Sequence, residues 1–232
     1  MKKYIIIAIA LLSFTNGVSA QELGFTADKE FMTTYIWRGM HPGYNKHFAP
    51  GASFDIGLNF TSADENFYAE TYFWTYQSLN IPEHYSEYQF TVYVETHGFH
   101  IEWNNYFGDM GEVGVGYTIP GPVPASLTFY TSLYGEDFDE TGTKRNYSNY
   151  IELAVPYSIG NFDLQATFSA VPRKSVYYDN ANGFAVSSMM LEGTYSFELN
   201  DVLTLPVKAG FGYSPLYQNL LYYASVGLGV AF

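Results

Sequence analysis

The chain has no cysteine among its 232 residues. That absence excludes a disulfide framework, a lipidated N-terminal cysteine and any Cys-based zinc site. Charge is also scarce, at 14% of residues against about 25% in an average domain. Bases are the scarcest: 10 Lys and Arg against 23 Asp and Glu leave a formal net charge of −13. Nucleic acid is therefore excluded as a partner, because phosphate contacts need Lys and Arg. No stretch holds the roughly eighteen consecutive apolar residues of a membrane-spanning helix. No Gly-x-Ser-x-Gly elbow is present to present a serine nucleophile.

What is abundant is aromatic, with 23 Tyr and 19 Phe. Lys2 and Lys3 precede a short apolar run over 4–12, and Val18, Ser19 and Ala20 are small. This is the pattern of a secretory leader, residues 1–20, cut before Gln21. The rest, 21–232, has the size of one domain. Low charge, many aromatics and no long apolar run describe a chain whose hydrophobicity sits at alternate positions.

Alternation is what the chain shows. Twelve strands are predicted, at about 30–38, 52–60, 67–77, 87–96, 99–107, 112–119, 125–135, 149–159, 162–171, 185–199, 203–213 and 220–232. Tyr88, Phe90, Val92 and Val94 oppose Glu87, Gln89, Thr91, Tyr93 and Glu95. Val113, Val115, Tyr117 and Ile119 oppose Glu112, Gly114, Gly116 and Thr118. Side chains alternate across a strand, so each segment has one greasy face and one polar or bare face. The strands are about ten residues long, as a tilted strand crossing a bilayer requires. Connections alternate between tight turns and longer polar stretches, the latter near 39–50, 78–86, 108–111, 136–148, 172–184 and 214–219. The expected fold is all-β: a closed, antiparallel, up-and-down transmembrane barrel of about twelve strands. Ten strands is the alternative, if the His97-Gly98 region belongs to one bent pair. A soluble sandwich would have shorter strands and a second sheet over its apolar face.

The chain ends on Phe232, with Val230, Leu228, Val226 and Tyr222 on the same face. This ending resembles the terminal strand of Gram-negative outer-membrane barrels, where it is the signal read by the insertion machinery. The resemblance implies an outer-membrane location, with membrane lipid and the barrel-assembly machinery as partners. The stretch Thr33-Thr34-Tyr35-Ile36-Trp37-Arg38-Gly39 resembles the opening of the small porin-like family of unknown function called Gcw_chp or TorF-type. That family opens on Ser-x-Tyr-x-aromatic-Arg-Gly, with Thr33 here in place of Ser. It implies a barrel and a transport role, with no catalytic residue.

With the polar parity inward, the lumen receives Arg38, Asp55, Glu87, Glu95, Glu102, Glu112, Glu152, Asp163, Glu192 and Lys208, together with Glu70. A mainly acidic lining favours cations, because carboxylate fields add along a narrow channel. The same charges could instead pair and fill the barrel. Tyr35, Trp37, Trp74 and Trp103 suit the aromatic girdles of a membrane interface. Tyr72, Trp74 and Tyr76 would stack on a solute if the third strand turned them inward. Its parity is ambiguous in the sequence. His41, His47 and His84 fall in predicted loops, with Ser86 near His84. His97 and His100 stand near Glu95 and Glu102, but three residues apart they face opposite ways on a regular strand. No metal site, cofactor or enzymatic activity is expected. The function expected is a passive channel for small solutes, favouring cations. The alternative is a non-conducting surface protein working through its loops, and a lipid-modifying enzyme at the rim is the remoter one.

Overall fold

A computed structural model describes residues 20–40, 49–79, 85–139, 141–175, 177–178 and 181–232. They form one closed barrel of twelve antiparallel strands, each paired with its neighbours in sequence, β1 closing on β12. The strands are β1 Ala20–Met32, β2 Gly51–Ser62, β3 Phe67–Ser78, β4 Ser86–Thr96, β5 Phe99–Tyr106 and β6 Met110–Ile119. They continue with β7 Ala125–Gly135, β8 Asn149–Ile159, β9 Phe162–Val171, β10 Ala185–Glu198, β11 Leu203–Ser214 and β12 Asn219–Ala231. The expected leader lies outside the described residues apart from Ala20, which opens β1. His41, His47 and His84 lie outside them as well.

Twelve is the count because His97-Gly98 is a true hairpin. Both residues have positive φ, 51° and 81°, the geometry of the two-residue turn that matches strand twist. Closure removes every edge. β1 and β12 pair from Thr26↔Ala231 to Met32↔Ser225. Phe25 and Phe232 exchange backbone hydrogen bonds of 2.7 and 3.1 Å, and their rings meet at 5.0 Å. An unpaired edge in lipid would leave backbone groups unsatisfied at several kcal/mol each.

The parity is consistent around the barrel. Phe54, Ile56 and Leu58 on β2, Phe99 and Ile101 on β5, and Leu191 and Phe211 on β10 and β11 point out and are exposed. Tyr222, Val226, Leu228 and Phe232 share this outer belt. A belt of this kind is what transmembrane barrels present to lipid. Connections at 63–66, 97–98, 120–124, 160–161 and 199–202 form a turn end, where the described chain also starts and stops. The longer connections make the opposite, loop end.

The first strand differs from the expectation. It runs over Ala20–Met32, not 30–38. Phe31, Thr33, Tyr35 and Trp37 alternate as a wall strand would, but the wall ends at Met32. Thr33 still bonds to the carbonyl of Ala224 at 2.9 Å, and the chain then folds into the lumen. The true strand is disguised because Lys29 interrupts its outer face of Leu23, Phe25, Ala27 and Phe31. Lys29 is exposed and reaches back over the Phe31 ring at 5.1 Å.

Candidate functional site

The site is built around the inward-folded segment 33–40. Trp37 and Met40 exchange backbone hydrogen bonds of 2.9 Å in both directions, leaving Arg38-Gly39 as a two-residue tip. Arg38 and Gly39 have φ of 50° and 84°, again the hairpin turn with two positive angles. Gly39 is needed twice over. A side chain there would be strained, and its Cβ would stand 2.7 Å from the Ser187 carbonyl oxygen. The Ser187 hydroxyl donates to the Arg38 carbonyl at 2.5 Å, tying the tip to β10.

Arg38 does not sit on the wall. It reaches across the lumen to Glu112 on β6, and both guanidinium nitrogens donate to that carboxylate, Nη1 at 2.7 Å. Nη1 also donates to the Tyr178 hydroxyl at 2.6 Å. The guanidinium stacks over Tyr150 at 4.4 Å, Tyr130 at 4.5 Å and Trp37 at 4.8 Å. The pair is out of water: the side chains are 8% and 1% exposed. Tyr178 comes from the connection between β9 and β10, so a second loop-end segment folds in over the first. Its neighbour Tyr177 donates to Asp109 at 2.7 Å. Burial raises the Asp109 carboxyl above its usual range, and the Tyr177 hydroxyl opposes that.

A hydrogen-bond network backs Glu112 on the β4–β7 side. Gln89 donates to Thr91 at 2.9 Å and to Asn104 at 3.0 Å, and Thr91 donates to Asn104 at 2.7 Å. Asn104 and Tyr106 each donate to Glu112 at 3.3 Å. Thr91, Asn104 and Glu112 are buried, so this half of the lumen is filled. Towards the turn end His100 shares a 2.9 Å hydrogen bond with Thr128 and stacks on Tyr93 at 5.6 Å. Among the described residues no group of three acids and histidines could hold a metal ion.

The other half is different. Beneath the hairpin lies a cavity of about 290 Å³, bounded by β1–β3 and β8–β12. Glu30, Glu152, Glu192 and Lys208 line it, with Tyr35, Trp74, Tyr150 and Tyr223 as its aromatic wall. Lys208 donates to Glu30 at 3.0 Å. Tyr223 donates to Glu192, and Tyr150 reaches Glu152 at 3.5 Å. Gly210 leaves room for the Tyr223 ring, where a Cβ would stand 2.3 Å away.

β3 pairs Asp55↔Trp74 and Ser53↔Tyr76, which turns Tyr72, Trp74 and Tyr76 inward with the polar parity of β2. Tyr35, Trp37 and Trp74 are therefore not girdle residues, as the sequence led one to expect. They pack in the lumen, Tyr35 tilted against Trp74 at 5.2 Å and stacked on Tyr76 at 4.8 Å. Trp103 alone of that set points out, against Phe90 at 6.1 Å. Glu87 holds the Tyr35 hydroxyl at 3.0 Å and also accepts from Tyr85.

Asp55, Glu70, Glu87, Glu95, Glu102 and Asp163 also lie on inner-facing parity, the first two on β2 and β3. Of the residues singled out in the sequence, Glu152, Glu192, Lys208 and Arg38 share the cavity. Glu87 and Glu102 flank the filled half, and Glu95 lies nearer the turn end. The hairpin was missed in the sequence. Its one local signal is Gly39, since an arginine at positive φ is uncommon.

No protein-family model matches the chain, and no curated protein matches it. Among solved structures it is similar to an outer-membrane channel from Pseudomonas putida, with a TM-score of 0.50, 9% identity, and coverage of 94% of this chain and 98% of that one. It also aligns with the translocator domain of the autotransporter NalP from Neisseria meningitidis, with a TM-score of 0.42, 12% identity, and coverage of 99% and 96%. At 9% identity the likeness to the channel is one of fold alone.

Proposed function

We propose that this protein is an outer-membrane barrel of a Gram-negative bacterium that gives small solutes a narrow path favouring cations. In this reading the leader directs export and the assembly machinery reads the strand ending at Phe232. The turn end faces the periplasm and the loop end the exterior. The carrying observation is the charge balance of the lumen. Its described bases, Arg38 and Lys208, are each held by a carboxylate, Glu112 and Glu30. Glu102, Glu152 and Glu192 stay on the inner wall without a salt bridge among the described residues. An acidic, low-dielectric passage concentrates cations and repels anions. The TorF-type resemblance of the Tyr35–Gly39 stretch supports a transport role, and the hairpin then acts as the constriction.

Single-channel recording in a planar bilayer under a salt gradient tests this. The expected result is small steps with a cation-selective reversal potential that weakens in Glu152→Gln. A folded barrel with no steps, including when Arg38 is replaced, would overturn it. That outcome favours the second reading, a non-conducting surface protein, which the two inward-folded segments at the loop end support.

A further inference from the structure

We propose that the cavity beneath the hairpin is a binding site for a small organic cation, an ammonium group on a compact apolar body. The inference rests on the solute-path reading and sharpens it by naming the class of solute. At about 290 Å³ the cavity exceeds what a bare metal ion needs and approaches the lower end of small-molecule sites.

Charge excludes the anion. Glu152 and Glu192 both line the cavity, and their hydrogen-bond donors are the hydroxyls of Tyr150 and Tyr223. A tyrosine hydroxyl orients a carboxylate without neutralising it. The bases at the cavity are already committed, Lys208 to Glu30 and Arg38 to Glu112. An entering anion would meet two carboxylates and no available base. A neutral polyol would find hydrogen-bond partners and still leave the charge unbalanced.

The rest of the lining separates an organic cation from a hydrated metal ion. Tyr35 and Trp74 pack against one another at 5.2 Å with a tilt of 39°, and both line the cavity. Trp74 also stacks on Tyr76, and Glu87 holds the Tyr35 hydroxyl at 3.0 Å, so the aromatic wall is set before a ligand arrives. Met32 and Met190 add soft apolar surface. Aromatic faces attract ammonium groups, and thioethers adapt to alkyl groups around them. A hydrated inorganic ion would use the carboxylates and leave these surfaces without a role. Gln165 lines the cavity and is exposed to solvent, so a ligand has a wet approach along β9.

The test is isothermal titration of the detergent-extracted barrel with choline and with 3,3-dimethylbutan-1-ol. The two probes share a shape and differ in charge. The expected result is saturable choline binding at least tenfold tighter than the alcohol, weakened at least tenfold in Glu192→Gln. Heat-modifiable migration on a gel checks that each sample is folded. Equal affinity for the two probes, or no saturable choline binding by the folded wild-type barrel, would overturn the proposal. So would choline affinity unchanged in both Glu152→Gln and Glu192→Gln. Titration needs no current, so its outcome is separate from the conductance test. Binding without conductance keeps the site and removes the passage, and conductance without binding does the reverse.

Discussion

The two halves of the lumen use the same kinds of residue to opposite ends. On the β4–β7 side, Gln89, Thr91, Asn104 and Tyr106 converge on Glu112, and Arg38 completes the set from the hairpin. The polar side chains gathered around Glu112 are joined in one network, so this region of the lumen is filled. On the β8–β12 side, Glu152 and Glu192 are met by tyrosine hydroxyls, and a cavity is left between the walls. The difference lies in how many of the acids are met by a base from within the chain. Where Arg38 is inserted, the lumen is closed and dry. Where Lys208 pairs with Glu30, Glu152 and Glu192 have tyrosine hydroxyls beside them and a cavity is left.

Removing the inserted cation's partner should break the comparison most severely. Glu112→Gln leaves Arg38 buried beside a neutral amide, and breaking a buried pair in this way costs about 3–5 kcal/mol. Urea unfolding of the barrel in vesicles should show that loss, whereas Glu192→Gln should change stability by less than about 1 kcal/mol. A joint Arg38→Met and Glu112→Leu change should recover part of the loss, since it removes both buried charges but takes the acceptor from Asn104 and Tyr106.

Gly39→Val attacks the hairpin instead of the ion pair. The left-handed backbone costs a non-glycine residue about 1–2 kcal/mol, and the Cβ is crowded by Ser187 in addition. The tip should withdraw from the lumen, raising the quenching of tryptophan fluorescence by a soluble quencher at Trp37. Thr91→Val sharpens the picture within the filled half. It removes a buried hydroxyl that bonds Gln89 and Asn104, at a cost of about 1–3 kcal/mol in the same unfolding assay.

The smallest effect lies at the turn end, away from both halves. Ser62 donates to Asp64 at 2.6 Å, and the Asn66 backbone at 3.2 Å. The Ser62 and Asn66 hydrogen bonds lower the Asp64 carboxyl to about 2. A carboxyl lowered on folding adds stability above its unfolded pKa and loses it as pH falls towards about 2. Ser62→Ala should move the Asp64 titration upward, as read by NMR in micelles, and leave the lumen unchanged.

Much of the barrel was legible in the chain because a strand's period is two. The alternation of Tyr88 to Val94 or of Val113 to Ile119 states which side is greasy, and lipid outside the barrel requires that side to face out. The same rule misled at Thr33, Tyr35 and Trp37. Alternation reports two unlike faces and does not say whether the segment belongs to the wall. In β3, Phe73 and Trp74 are both large and apolar, so their order carried no parity. The register with β2 decided it.

The sequence by itself determined the strand pattern, the acidic balance and the apolar outer face, because those follow from local spacing and composition. Only the tertiary structure decided that Arg38 meets Glu112, 74 positions later, and that Tyr178 joins them. It also decided which half of the lumen is filled and which keeps a cavity. Contacts across a barrel depend on closure, which sets what stands opposite each strand, and no local pattern in the chain encodes that distance.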